Sequence, residues 1–189
     1  MTTPLMAVDD HATADERRRT RRFFNLVAPA FHVIDRRLYP EYRRALEDLG
    51  LPAEMSILDV GTGTGTLARA FVERGHRVTG VDFAARLLRK ARHRAPTAEF
   101  LTMDLVDLDA FESGSFDVVT LAYVLHGFDP QLRSLTLSHA ARLARFGVLI
   151  FDYSGMGPWY VRLIEWIEGP HYPAFVSRPM AEHLQPFGL

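Results

Sequence analysis

Residues 56–71 read SILDVGTGTGTLARAF. A short apolar run leads into three glycines that alternate with threonines, and a helix-like run follows. Glycine at that density suits neither a strand nor a helix interior, but it suits a sharp turn in which backbone approaches a ligand without a Cβ in the way. Strand, glycine turn and helix together predict the first unit of a parallel sheet.

The same alternation continues outward from that stretch. RVTGVD is a predicted strand and AARLLRKARHRA a helix before Pro96. AEFLT is a strand, followed by the polar loop MDLVDLDAFESGS. FDVVTLAYVL is a strand, PQLRSLTLSHAARLA a helix opened by Pro130, and GVLIFDY a fifth strand. Strands apolar throughout, separated by helices, predict an α/β fold with a doubly wound parallel sheet, Rossmann-like, covered on both faces. Upstream, RRRTRRFFNLVAPAFHVIDRRLYP suits amphipathic helix pieces broken at Pro29. Pro40 suits the first position of a further helix, with Ala45, Leu46 and Leu49 as its buried stripe and Gly50 as its stop.

The chain has 189 residues, enough for one domain with a real core. We divide it into a flexible tail (1–16), a helical cap (17–53), a binding core (54–153) and an aromatic lid (154–189). Apolar residues make up 48% and charged residues 24%, with a net charge of −1, so bulk electrostatics do not point to nucleic acid. With no cysteine there is no disulfide, no thiolate metal site and no cysteine nucleophile. The eight histidines contain no H-x-x-x-H pair, so no metal is expected. The N-terminus is acidic and lacks an apolar core, and residues 118–125 fall far short of the ~20 needed to span a bilayer. A cytoplasmic protein is expected. The arginine run from Arg17 to Arg22, followed by Phe23 and Phe24, reads as a solvated helix face or as a peripheral membrane contact.

Two ligand classes suit the glycine turn: a dinucleotide or S-adenosylmethionine. Asp82 ends the second strand, 21 residues after Gly61, where a carboxylate can accept ribose hydroxyls. The dinucleotide fingerprint is G-x-G-x-x-G/A, whereas here the spacing is G-x-G-x-G and Thr66 fills the sixth position. Asp59, two residues before the first glycine, would repel a pyrophosphate but suits the ammonium of a methionine moiety. Both features favour S-adenosylmethionine.

LDVGTGTGTLA, GVDFAARLL, FLTMDLVDL, FDVVTLAYVLHGF and ARFGVLIFDYS together resemble the successive motifs of the class I S-adenosylmethionine-dependent methyltransferases. VAPAFHVIDRRLYPEYRRAL is similar to the N-terminal region of the ubiquinone/menaquinone C-methyltransferase group and its small-molecule relatives. The resemblance implies that Asp59, Gly61, Thr62, Gly63 and Gly65 line the methionine end of the cofactor and Asp82 holds its ribose. It implies that Phe83 and Met103 pack beside the adenine, that Asp104 reaches the adenine amine, and that Ala122 and Tyr123 flank the sulfonium. The implied activity is methyl transfer to a small, apolar or aromatic acceptor, with S-adenosylhomocysteine as product. A non-catalytic or partner-dependent S-adenosylmethionine binder and an NAD(P)-linked oxidoreductase are the alternatives.

Transfer from a sulfonium is an in-line displacement, so positioning supplies much of the catalysis, and a base is needed only where the acceptor must lose a proton. His126, Asp152 and Tyr153 are the catalytic candidates, at the ends of the fourth and fifth strands. His126 also suits a role in capping the next turn, and Asp152 a role in capping the segment after its strand. Tyr153, Trp159, Tyr160, Trp166, His171, Tyr172 and Phe175 are candidates for the acceptor wall or for lid core. The family usually adds a sixth and a seventh strand, an antiparallel pair at one sheet edge; here AEHLQPFGL resembles the helix and turn just before the sixth strand and the sequence stops, as expected of either a truncated version or a sheet of five strands. An exposed VLIFDY edge therefore predicts a homodimer or a helix-covered edge.

Overall fold

The computed structural model describes residues 31–154 and 171–189, with side chains from residue 34 onward in the first segment. The tail, residues 17–30 of the cap, Pro29 and the aromatics Trp159, Tyr160 and Trp166 lie outside the described residues.

Five strands form one parallel sheet: β1 (Ser56–Val60), β2 (Arg77–Asp82), β3 (Glu99–Thr102), β4 (Phe116–Ala122) and β5 (Ala144–Phe151), in the order β3-β2-β1-β4-β5. The order reverses beside β1, which opens a crevice at the carboxyl ends of β1 and β4. Helices α1 (Phe31–Leu49), α2 (Thr66–Val72) and α3 (Ala85–Arg94) are gathered with one face of the sheet, and α4 (Pro130–Leu143) with the other. Short helices α5 (His171–Val176) and α6 (Met180–Leu184) follow, with a closing 3₁₀ turn at Gln185–Phe187.

Period-2 alternation sorts the core. Ile57, Val78, Phe100 and Val118 pack with Tyr42, Leu46, Leu67 and Phe71. Leu58, Val81, Val119 and Leu121 face the other way, onto Leu105, Leu108, Leu137, Leu143 and Phe175. Across the first face one register row runs Phe100, Gly80, Asp59, Thr120, Leu149. Gly80 is what this row requires: a Cβ there would lie 2.7 Å from the Phe100 ring and 2.9 Å from the Thr62 hydroxyl.

Four details differ from the sequence expectation. Helix α1 runs through Pro40 instead of starting there. Pro40 and Arg36 both lie on the exposed side, so the carbonyl that Pro40 leaves without its donor faces water, while buried Asp35 and Tyr42 anchor the helix on either side. The buried stripe is Tyr42 and Leu46, and Leu49 is exposed. Strand β4 stops at Ala122 because Tyr123 takes a left-handed φ of 54° and a 3₁₀ turn follows at Leu125–Gly127. Strand β5 begins three residues early, at Ala144, directly on the end of α4. Among the described residues β5 has a partner on one side only, and its Phe146 is 71% exposed.

Candidate active site

The glycine turn sits at the head of the crevice. Gly61 and Thr62 both donate their N–H groups to the Val81 carbonyl, at 2.9 and 3.0 Å, which fastens the turn to the end of β2. The three glycines take φ values of 70°, 54° and 74°. Their tasks differ. A Cβ at Gly61 would run into Val124 at 2.6 Å. At Gly63 the nearest atom to such a Cβ is 3.9 Å away, so here the backbone borders open space. Gly65 is buried, and a Cβ there would meet Ala91 of α3 at 2.8 and 2.9 Å. Gly65 therefore lets α3 pack against the turn, where the resemblance implied a cofactor-lining position.

The threonines turn inward. Thr62 donates to Asp59 Oδ2 at 2.5 Å, and Thr120 donates to Asp59 Oδ1 at 2.8 Å. Asp59 is 1% exposed, and burial pushes its pKa up to about 6 against the pull of the two hydroxyls. Asp59 thus stands behind the turn. Both of its oxygens are taken by threonine hydroxyls, one from the turn and one from β4.

Asp82 is the carboxylate that the turn leaves at the crevice. Its Oδ2 accepts from Gly63 N at 2.9 Å and its Oδ1 from Ala84 N at 2.7 Å. Each oxygen keeps a lone pair for a further donor such as a ribose hydroxyl. Burial raises its pKa to about 6, the two N–H groups oppose that rise, and the nearby Asp59 charge adds to it. Met103 donates its N–H to the Asp82 carbonyl at 3.1 Å, which brings the 103–104 segment alongside. Asp104 caps the 3₁₀ turn Leu105–Ala110 through Val106 N at 3.4 Å, and Phe83 packs on Ala84 and Leu87. Ala122 and Tyr123 lie half-buried at the end of β4, where Tyr123 N donates to the Phe151 carbonyl at 2.7 Å.

His126 and Asp152 are brought together. Asp152 Oδ1 accepts from His126 Nδ1 at 2.6 Å, and the same carboxylate accepts from Leu125 N at 3.0 Å and Tyr153 N at 2.9 Å. His126 is 4% exposed and the Asp152 side chain 1%. Both side chains are buried, and the pair ties the ends of β4 and β5 together. The half-buried Tyr153 ring stands edge-on to His126 (4.9 Å), Tyr123 (5.2 Å) and Tyr172 (5.2 Å). Phe175 holds α5 beneath this cluster, with the Arg133 guanidinium 4.7 Å over its ring. Buried Arg133 in turn donates to the carbonyls of Leu125 and Phe128.

Sequence reasoning missed three contributors. Thr120 is hidden in an apolar strand, and Tyr42 of α1 lies edge-on to Phe151 at 5.3 Å among Tyr123, Asp59 and Asp152. Asp35 accepts from Thr64 and Thr66 at 2.6 and 2.8 Å. The visible signal for Asp35 was the threonine pair, whose buried hydroxyls need an acceptor.

A donor set of one crevice carboxylate, open backbone at Gly63 and a wall of tyrosines fits a nucleoside that carries a cationic tail. The G-x-G-x-G spacing and the Asp59 carboxylate behind the turn disfavour a pyrophosphate, whereas Asp82 suits the ribose of either ligand class. Residues 57–147 match the family described as Methyltransferase domain. Fold, turn and match make the chain similar to the class I S-adenosylmethionine-dependent methyltransferases. Within that class it is similar to the demethylmenaquinone methyltransferase of Thermus thermophilus, at 39% identity over 56% of this chain and 52% of the relative. It is also similar to the ubiquinone/menaquinone biosynthesis C-methyltransferase UbiE of a Geobacter species, at 24% identity over 76% of this chain and 67% of the relative. The fold is shared with the TehB-like S-adenosylmethionine-dependent methyltransferase of Corynebacterium glutamicum, with a TM-score of 0.59 and 22% identity over 85% of this chain and 82% of that one. The chain spans about half the length of the first curated relatives it matches. Among the described residues no helix is long and apolar enough to cross a membrane.

Proposed function

We propose that the protein transfers a methyl group from S-adenosylmethionine to a small apolar or aromatic acceptor, in the cytoplasm. The observation that carries this reading is Asp82, a buried carboxylate locked by Gly63 N and Ala84 N at the mouth of a G-x-G-x-G turn. When bound, the cofactor would supply a sulfonium-borne methyl carbon, with S-adenosylhomocysteine as the product. The chain's own residues bind, orient and exclude water. Asp82 takes the ribose hydroxyls, with Phe83, Met103 and Asp104 along the adenine. Gly61 and Gly63 present backbone to the methionine end, and the buried Asp59 carboxylate favours its ammonium. Ala122 and Tyr123 border the methyl group.

On the acceptor side Tyr123, Tyr153 and Tyr172 form an aromatic wall. His126 and Asp152 position Tyr153, since both are buried beneath it and Asp152 also holds Tyr153 N. The printed names of the relatives suggest a demethylated quinone as the first acceptor to try. Membrane contact through Arg17–Phe24 belongs to the same reading, because such an acceptor is a lipid, and self-association along β5 would cover the outer edge that has no strand partner among the described residues.

Calorimetry with S-adenosylmethionine, S-adenosylhomocysteine and NAD tests the cofactor. Binding of NAD without the other two would overturn the reading. Transfer of radiolabelled methyl into solvent-extractable demethylmenaquinone tests the acceptor class.

A further inference from the structure

Helix α1 lies outside the 57–147 match, yet it reaches into the glycine turn. Asp35 Oδ1 accepts from the hydroxyls of Thr64 and Thr66. Arg94, the last residue of α3, approaches the other Asp35 oxygen at 2.6 Å. The same guanidinium donates to the Thr64 carbonyl at 3.1 Å and to Thr66 Oγ1 at 3.0 Å. Asp35 and Arg94 thus grip one pair of threonines from two different helices. Asp35 is 7% exposed and both threonines are buried.

Space-filling alone does not call for this arrangement. A buried ion pair is often no more stabilising than apolar residues of the same volume. What it adds is direction, because charge-assisted hydrogen bonds are short and oriented. The directions fixed here are those of Thr64 and Thr66. The residues just before them, Gly63 and Thr62, are tied to Asp82 and Asp59. The turn from Gly61 to Thr66 is therefore pinned by three carboxylates, one of them supplied by α1.

We infer that Asp35, with Arg94, is a positioning residue for the cofactor turn, so that seating of α1 and binding of the cofactor are coupled. The inference rests on the cofactor reading above. Coupling is reciprocal: if α1 orders the turn for the ligand, the ligand must hold α1 in place to the same degree.

The test uses the full chain and S-adenosylhomocysteine as probe. Thr64→Val keeps the side chain's shape and removes its hydroxyl, and Asp35→Asn removes the charge. Each is expected to raise Kd about tenfold, the scale of one lost charge-assisted hydrogen bond. The double variant should be no weaker than the weaker single variant, since both changes break one network. Without ligand, hydrogen exchange in residues 61–66 should quicken in both variants while β4 keeps its protection. With ligand, exchange in α1 should slow in the parent protein and not in Asp35→Asn. Unchanged Kd in Thr64→Val, or exchange quickened equally in β4, would overturn the inference and leave Asp35 a packing residue. If Asp35→Asn fails to fold, Thr64→Val carries the test alone. A parent protein that binds no S-adenosylhomocysteine would instead refute the cofactor reading, and the ligand-free exchange would still judge whether Asp35 orders the turn.

Discussion

Acid should loosen the cofactor while it tightens the empty protein. Asp82 has a pKa raised to about 6, with burial as the main cause. A ligand that donates hydroxyls to Asp82 requires its ionised form. At pH 7 about nine-tenths of Asp82 is ionised, and at pH 5 about one-tenth. Kd for S-adenosylhomocysteine should therefore rise about tenfold between pH 7 and pH 5, equivalent to about 1.4 kcal/mol. If Asp59, raised to the same value, is also ionised on binding, the rise approaches a hundredfold. The ligand's own carboxyl and amino groups, with pKa values near 3.5 and 7.8, add little across that window. The sign for stability is opposite. A carboxylate raised from about 4 to about 6 binds its proton more tightly in the folded state. The ligand-free protein should gain stability as pH falls through 6 toward 4, by up to about 3 kcal/mol from Asp82. Lowered acids oppose this: Glu73 is exposed and solvent-screened, while Asp117, held by Ser56 and Arg145, offsets part of the gain at the lower end of that range. Calorimetry at pH 5, 6 and 7, in buffers of different ionisation enthalpy, reads both affinity and proton release. Equal Kd at pH 5 and 7, with no proton released, would refute the reasoning.

Three further outcomes are expected. Gly65→Ala combines a left-handed φ with a Cβ pressed onto the α3 backbone, and should destabilise by about 2–4 kcal/mol in urea unfolding. Phe175→Ala empties a site 1% exposed beneath Arg133 and should lose about 3–5 kcal/mol of local stability, seen as faster amide exchange in α5. Asp152→Asn sets an amide N–H₂ against the donors on Leu125, Tyr153 and His126. It should destabilise by about 1–3 kcal/mol and raise KM for the acceptor, with S-adenosylhomocysteine affinity within about twofold of the parent.

Where the chain's local preferences and its packing agree, the sequence was legible. The five strands, the glycine turn and Asp82 all follow from period and spacing, because a doubly covered sheet leaves an unbroken apolar record. Tyr123 was not legible: a left-handed turn at a tyrosine is imposed by the Phe151 ladder and the tyrosine cluster, not by a glycine. Pro40 misled because the rule against proline is local, while contacts of Asp35 and Tyr42, on either side of it in α1, with other elements hold the helix. Asp35 itself sits in an arginine-rich run that reads as solvated, and only the fold supplies its threonines. Asp59 was legible as an important acid but not as a buried one, since its partner Thr120 comes from a strand 61 residues away.

The alternation in GTGTGT divides the turn into two surfaces. All three threonine side chains are buried, while Gly61 and Gly63 keep part of their backbone at the surface. What a bound molecule would touch there is main chain, which every sequence presents in the same form. Substitution can break this seat but has almost no means of retuning it. On the proposed reading, selectivity for one acceptor over another would then be written on the tyrosine wall, at Tyr123, Tyr153 and Tyr172. An engineer seeking a new acceptor would randomise those positions and leave residues 59–66 untouched.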